Sequence, residues 1–131
     1  MIEHRQYERS EPITNITGYF ELEKVVTGEF SNCENFVVKN ISIGGYNLLT
    51  NYATTIGKNY NIFVNYGRQK YEFLVKIVHS IISHIQESPP NIFRPGVIYS
   101  VGCEVVVDRA VHKNLALTII KNDCKSNQVK N

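Results

Sequence analysis

The chain has 131 residues, of which 43% are hydrophobic and 20% charged, and its formal net charge is +2 at pH 7. This length corresponds to about one domain, and the composition is ordinary for a globular protein. Proteins that bind nucleic acid polymers or anionic membranes are usually strongly basic, so a charge of +2 argues against both partners. Any anionic ligand is therefore expected to be small and held by a few placed residues.

The cysteines and the N-terminus indicate the compartment. Cys33, Cys103 and Cys124 are odd in number and scattered, which fits a reducing environment. The opening sequence MIEHRQYERSEP is charged and has no apolar core of a signal peptide. No stretch approaches the roughly 18 apolar residues of a membrane span. A cytoplasmic protein without membrane insertion is predicted.

In chain order, the polar residues 1–12 are expected to form a flexible N-terminal arm. The segments 60–66 and 71–85 flank the turn sequence GRQK and predict a β-hairpin. In its second limb an apolar residue recurs at alternate positions, which predicts one buried face. The residues expected on that face are Phe73, Val75, Ile77, Ile81 and Ile85.

Residues 97–107 predict a further strand, because apolar residues again alternate. The residues expected on one face are Val97, Tyr99, Val101, Cys103, Val105 and Val107. The period then changes: Asp108 is a candidate N-cap, and Val111, Leu115 and Ile119 follow at helical spacing. Many short strands closed by one helix favour a small antiparallel barrel over residues 13–121, with a polar tail at 122–131.

No catalytic or metal-binding constellation stands out. His79 lies in line with the apolar face of its strand and His84 on the opposite face, so the two cannot chelate one metal. The chain lacks H-E-x-x-H and C-x-x-C patterns. Cys103 lies among valines and is interpreted as a core residue rather than a nucleophile. A hydrolase or metal enzyme is therefore disfavoured, no cofactor is expected, and the protein is predicted not to be an enzyme.

Two short segments carry candidate binding chemistry. Arg5 and Arg9 lie four residues apart, and a guanidinium group suits phosphate, stacks on aromatic bases and can read a guanine edge. Glu8 and Glu11 could instead pair with these arginines at the surface. Asn40 and Ser42 lie two apart, so on a strand both point to one face.

Gly44 and Gly45 follow the Asn–Ser pair. Glycine permits a turn with positive φ and close approach of the backbone to a ligand. A strand that simply ends in a glycine turn explains the glycines but does not explain the Asn–Ser pair. From these residues alone the two interpretations are evenly matched.

Together, RQYER (residues 5–9) and NISIGG (residues 40–45) resemble the R-x-x-x-R and [D/N]-x-S-x-x-G motifs of the PilZ domain family. YSVGCEV (residues 99–105) is similar to a late strand of that family. A stand-alone member is suggested, and the resemblance implies a six-stranded antiparallel β-barrel with a C-terminal helix that binds the bacterial second messenger cyclic di-GMP. It also implies the roles of the site residues. Arg5 and Arg9 would clamp the ligand, Asn40 and Ser42 would read a guanine, and Gly45 would make the turn.

The main functional hypothesis is a cyclic di-GMP receptor whose arm becomes ordered on the ligand and signals to a protein effector. The alternative is a PilZ-like adaptor that binds a protein partner without the nucleotide. Calorimetric titration with cyclic di-GMP separates these two hypotheses.

Overall fold

A computed structural model of the protein describes residues 9–22, 33–86 and 94–124, which form six strands and a helix. The elements in chain order are β1 (Thr17–Glu21), β2 (Cys33–Ser42), β3 (Gly45–Thr50), β4 (Asn59–Tyr66), β5 (Gln69–Gln86), β6 (Gly96–Val107) and α1 (Arg109–Asp123). The strands close into a barrel in the order β1-β2-β3-β6-β5-β4, and all neighbours are antiparallel. The expected six-stranded antiparallel barrel with a C-terminal helix is confirmed.

The barrel is filled by apolar side chains, which alternate with outward residues most regularly along β1 and β4. The largest of them, each no more than 1% exposed, include Phe20, Phe36, Leu48, Ile62 and Phe73. The rings of Phe20 and Phe36 meet edge to face, with centroids 5.3 Å apart. Burying one side chain of this kind contributes about 1.5–3 kcal/mol, so this shared interior is what holds the strands together.

The predicted hairpin of β4 and β5 is present, but only three of the five residues predicted on its buried face are buried. Phe73, Val75 and Ile77 are each at most 1% exposed, whereas Ile81 and Ile85 are 61% and 69% exposed. The prediction was wrong for these two isoleucines. β4 pairs with β5 only as far as Lys76, and β5 then extends past the barrel with β6.

The predicted face of β6 also holds for only part of the strand. Val101, Cys103 and Val105 are buried, but Ile98 and Ser100, which have the opposite parity, are buried as well. Val107 is 48% exposed, so its predicted place on the buried face was wrong. Side chains on both faces of β6 are therefore buried over part of its length, which the alternation of apolar residues in one strand could not show.

The helix begins where the sequence predicts it, directly after Asp108. That residue has a left-handed backbone (φ 63°) and no side-chain capping bond, while its carbonyl accepts the His112 N–H at 3.0 Å. The buried face consists of His112, Leu115, Ala116 and Ile119. Val111 is 51% exposed, so this face is centred one residue later than the spacing of Val111 suggests. The described residues include no helix that is long and apolar enough to span a membrane.

The end of the helix lies next to the segment that precedes β1. The Ile13 N–H donates to the Asp123 carbonyl at 2.7 Å, and Pro12 forms a β-bridge with Cys124. Cys124 is only 3% exposed although it belongs to the predicted polar tail. The division into arm, barrel and tail stays a prediction, since residues 1–8 and 125–131 lie outside the described part of the chain.

Candidate functional site

A β-bulge in β2 sets the direction of the Asn–Ser pair. The pairing with β3 runs from Val38↔Leu48 to Asn40↔Asn47, so one extra residue, Lys39, is inserted in β2. A bulge of this kind changes which face the following residues occupy. Val38 and Ile41 therefore both point into the core, and Asn40 points to the outer surface of the barrel. Without the bulge, Asn40 would continue the inward face of Val38.

Asn40 and Ser42 are half-buried on this outer surface. The side-chain oxygen of Asn40 is buried and has no hydrogen-bond partner. Ser42 closes the turn, because its hydroxyl oxygen accepts the Gly44 N–H at 3.2 Å. An unpaired buried carbonyl costs about 1–3 kcal/mol, so Asn40 is a polar group that a ligand could satisfy.

The segment that carries Arg9 lies along β2 beside this pair. Ser10 and Ile41 exchange two backbone hydrogen bonds, each 2.8 Å long. Ser10 is 7% exposed and Ile41 1%, so both side chains point inward. Neighbours of an inward residue in extended backbone point outward, which directs Arg9 to the face of Asn40 and Ser42. The antiparallel register puts Arg9 on the Ser42 side and Glu11 on the Asn40 side.

Arg5, the other predicted clamp residue, lies outside the described residues. The structure thus brings together four of the five predicted site residues: Arg9, Asn40, Ser42 and Gly45. Their roles toward a ligand stay predictions.

Gly45 is required for a different reason from the predicted one. Its φ is not positive, and positive-φ glycines of the described chain are Gly57, Gly67 and Gly96. A Cβ at Gly45 would lie 2.1 Å from the Cys103 carbonyl oxygen. Gly45 therefore permits close contact between β3 and β6 at the base of the turn, and the expectation of a positive-φ turn residue there was wrong.

His112, which the sequence analysis did not single out, supports the hairpin from beneath. It is fully buried, its Nε2–H donates to the Ser42 carbonyl at 2.9 Å, and its Nδ1 accepts the Tyr46 hydroxyl at 3.0 Å. Its ring packs edge to face on Tyr46 and Phe73, with centroids 4.7 Å and 5.4 Å away. The available signal was its position three and seven residues before Leu115 and Ile119, on the same helix face.

This environment favours the neutral imidazole. Burial lowers the pKa of His112 below its ordinary value, although the hydrogen bond to the Ser42 carbonyl acts in the opposite direction. Burial also raises the pKa of Tyr46 well above its ordinary value, so its hydroxyl keeps the proton that it donates. Neutral His112 with its proton on Nε2 satisfies both partners at once.

A row of small and polar residues continues from Asn40 across the outer surface. Asn40 lies opposite Asn47, Asn47 opposite Gly102, and Gly102 opposite His79. The Ser100 hydroxyl donates to the side-chain oxygen of Asn47 at 2.9 Å. The His79 ring covers Gly102, where a Cβ would lie 2.2 Å from its Nε2. The sequence analysis missed Asn47 and Ser100 because no motif includes them.

His79 was expected in line with the apolar face of β5, and that prediction was wrong. A bulge between Ile77 and His79 adds one residue and shifts the strand by one position, so His79 lies opposite the outward-facing Gly102. Among the described residues, no cluster of three or more His, Cys, Asp or Glu side chains could hold a metal.

Cys103 is confirmed as a core residue. It is 5% exposed, and burial raises the pKa of its thiol to about 12. The thiol therefore stays protonated near neutral pH and is unsuited to act as a nucleophile. On the outer face, the groups brought together are the Asn40 amide, the Ser42 hydroxyl, the His79 imidazole and the Arg9 guanidinium. Groups of these kinds can bind the polar edges of a ligand and its anionic groups.

Comparison with solved structures identifies the fold. The chain is similar to the PilZ domain of YcgR from Escherichia coli with c-di-GMP, with a TM-score of 0.61 and 17% identity over 91% of both chains. It is also similar to YcgR in complex with c-di-GMP from Escherichia coli, with a TM-score of 0.60, 18% identity and 92% of this chain covered. A third similar structure is MrkH, described as a c-di-GMP-dependent transcription regulatory factor, with a TM-score of 0.64, 14% identity and 92% of this chain covered.

This chain corresponds to 46% of the YcgR chain in that complex and 53% of the MrkH chain. No family model and no curated protein sequence matches the chain. At these identities the likeness establishes the fold alone. The chain adopts the fold of PilZ domains, as the two sequence motifs led us to expect.

Proposed function

We propose that the protein is a cyclic di-GMP receptor that binds the nucleotide on the outer surface beside the β2–β3 hairpin. The observation that carries this proposal is the pair of hydrogen bonds between Ser10 and Ile41, which brings Arg9 to the face of Asn40 and Ser42. The two motifs are separated by about thirty residues in the sequence, and this bridge unites them. The PilZ fold supports the proposal, since two of the similar structures were determined with c-di-GMP.

Each residue has a defined task in this proposal. The Arg9 guanidinium binds a phosphate or stacks on a guanine, because its charge and flat face suit both. The unpaired Asn40 oxygen accepts an N–H of a guanine edge, which removes the cost of leaving it unsatisfied. His112 fixes the hairpin before the ligand arrives, so little ordering is needed there on binding.

Isothermal titration calorimetry with cyclic di-GMP tests this proposal. Arg9→Ala is expected to weaken binding about tenfold to a hundredfold, or about 1.4–2.8 kcal/mol. Arg9→Lys should recover little of the affinity that Arg9→Ala loses, because an ammonium group has neither the fork of donors nor the flat face of a guanidinium group.

Arg94→Ala is the matched control. Arg94 is exposed and paired with Glu34 at 3.1 Å, near the start of β2 and therefore at the opposite end of the barrel from Ser42. The Arg94→Ala variant should bind cyclic di-GMP with the affinity of the wild type. Equal affinity of the Arg9 and Arg94 variants would contradict the proposed site, and no binding by the wild type would favour the nucleotide-independent adaptor.

Signalling to a protein effector through a ligand-ordered arm is the second part of the proposal. Amide hydrogen exchange over residues 3–8, with and without cyclic di-GMP, measures whether the arm gains protection. Ser10 provides an internal reference, since its N–H already donates to Ile41. Unchanged exchange over residues 3–8 with bound nucleotide would contradict arm ordering and leave the binding proposal intact.

A further inference from the structure

Asn47 lies on β3 directly opposite Asn40, outside both sequence motifs. Its neighbours Tyr46 and Leu48 belong to the core, so its side chain points to the outer face, where only 8% of it is exposed. The Ser100 hydroxyl donates to its side-chain oxygen at 2.9 Å. Among the described residues, none accepts a hydrogen bond from its amide nitrogen. The fold therefore uses the oxygen of Asn47 and leaves its nitrogen as a donor for a ligand.

The two opposed amides do not bond to each other. The side-chain oxygen of Asn40 is buried and has no partner, although Asn47 is its cross-strand neighbour. Directly opposed residues of antiparallel strands have Cβ atoms about 4.5–5.5 Å apart, so both amides can reach adjacent atoms of one flat ligand. We call the Asn40 oxygen and the Asn47 nitrogen the asparagine pair. The asparagine pair places an acceptor beside a donor on the outer face.

An acceptor beside a donor matches one edge of guanine. Guanine has a donor, N1–H, next to an acceptor, O6, whereas adenine has an acceptor, N1, next to a donor, the N6 amino group. Guanine can therefore bond to both groups of the asparagine pair. Adenine in the same position would set acceptor against acceptor and donor against donor. A site built to bond a polar edge rejects a ligand that leaves its buried groups unpaired.

We propose that Asn47 is a specificity-determining residue, whose amide nitrogen donates to guanine O6 while the Asn40 oxygen accepts the guanine N1–H. The site then selects dinucleotides of guanine over those of adenine. This inference rests on the proposed function and deepens it, because it adds a residue of β3 that neither motif includes. Ser100 contributes by holding the Asn47 oxygen, so that the nitrogen is the end presented to the base.

Calorimetric titration of the full chain with three cyclic dinucleotides tests which atoms of the base are read. Cyclic di-AMP should bind about tenfold to a hundredfold more weakly than cyclic di-GMP, which is the discrimination that one matched pair of base contacts provides. Cyclic di-IMP keeps N1–H and O6 but lacks the 2-amino group of guanine. It should bind within about threefold of cyclic di-GMP. Binding of cyclic di-IMP as weak as that of cyclic di-AMP would overturn the assignment of O6 to Asn47.

Asn47→Asp replaces the free donor by an acceptor and keeps an oxygen for Ser100. The carboxylate repels O6 of guanine and accepts the amino group of adenine. The dissociation constant for cyclic di-AMP divided by that for cyclic di-GMP should therefore fall about tenfold. Repulsion between the new charge and the phosphates weakens both nucleotides alike and cancels in this ratio. Titration at about pH 8 keeps the carboxylate ionised.

Asn35→Asp is the matched control, because it makes the same change at an exposed residue near the start of β2, far from Ser42. Its ratio of dissociation constants should equal that of the wild type. If the wild type binds cyclic di-GMP and Asn47→Asp leaves the ratio unchanged, the role of Asn47 is overturned and the proposed function stands. If the wild type binds none of the three dinucleotides, the proposed function fails and this inference fails with it.

Discussion

The β2–β3 and β4–β5 hairpins both have two-residue loops, yet they are stabilised in different ways. At the first, Ser42 pairs with Gly45. His112 holds the Ser42 carbonyl from beneath, and Ser10 bonds to the backbone of Ile41 in β2. At the second, Tyr66 pairs with Gln69, and the loop is exposed. The first hairpin depends on tertiary contacts, whereas the second depends on its own backbone conformation.

The glycines of the two hairpins show the same difference. Gly67 has φ 63°, and a Cβ there would meet nothing within 4 Å, so glycine is needed only for its conformation. Gly45 is needed for space, because backbone atoms of β6 occupy the position of a Cβ. A turn fixed from outside can hold an unsatisfied group such as the Asn40 oxygen in place, which is a requirement for a preformed binding surface.

The largest expected effect is that of Gly45→Ala. The new methyl group would lie 2.1 Å from the Cys103 carbonyl oxygen and 2.8 Å from the Glu104 Cα, so β3 would have to move away from β6. A loss of about 2–4 kcal/mol in the free energy of unfolding is expected. Gly67→Ala, measured by the same urea titration, should lose only about 1–2 kcal/mol from left-handed strain. Equal losses would remove the distinction between the hairpins.

His112→Ala should follow, with a loss of about 2–4 kcal/mol in the free energy of unfolding. The substitution leaves the Ser42 carbonyl and the Tyr46 hydroxyl without their partner in a buried environment and opens a cavity beside Phe73. Val111→Ala, one residue earlier on the exposed face, should change stability by less than about 1 kcal/mol. Similar losses in both variants would show that the helix as a whole, rather than His112, supports the hairpin.

Stability should also depend on pH through His112. Its folded pKa is lowered by burial, so the unfolded chain binds more protons in mildly acidic solution. Its contribution to stability is complete above about pH 6.5, the ordinary pKa of histidine, and is lost as the pH falls below it. Urea titrations at about pH 7.5 and 5.5 should show a smaller loss in His112→Gln than in the wild type. Equal losses of stability in the variant and the wild type would exclude His112 as the source of the pH dependence.

The smallest expected effect is a gain in the free energy of unfolding. Asn40→Ala removes a buried carbonyl oxygen that has no partner, so the ligand-free protein should become more stable by up to about 1 kcal/mol. The same variant should bind cyclic di-GMP more weakly if the proposed site is correct. A stability loss in the ligand-free variant would mean that Asn40 serves the fold.

The elements that follow from local pattern were predictable, and those that depend on a neighbouring strand were not. The β4–β5 hairpin and the helix start at Asp108 could be predicted because turn residues and periodicity are local signals. The bulge at Lys39 exists only relative to β3, so the sequence of β2 could not reveal it. For the same reason the exposure of Ile81 was not foreseen, since the bulge between Ile77 and His79 exists only relative to β6 and moves Ile81 to the outer face.

The candidate site was predicted in part. The motif residues Arg9, Asn40 and Ser42 do lie at one face of the barrel, although 31 residues separate Arg9 from Asn40 in the sequence. The groups that support them come from elements with no motif of their own. His112 belongs to a helix that folds back over the hairpin, and Asn47 lies beside Asn40 only because β2 and β3 pair.

The bridge between Pro12 and Cys124 has a consequence for the architecture of larger chains. The backbone enters and leaves the barrel at adjacent points, close enough for the Ile13 N–H to reach the Asp123 carbonyl. A short linker could therefore join these points, and a circularly permuted version could be opened at the exposed Gly67 turn without disturbing the β2–β3 hairpin. Equally, the unit could be inserted into a loop of another protein without separating the two sides of that loop.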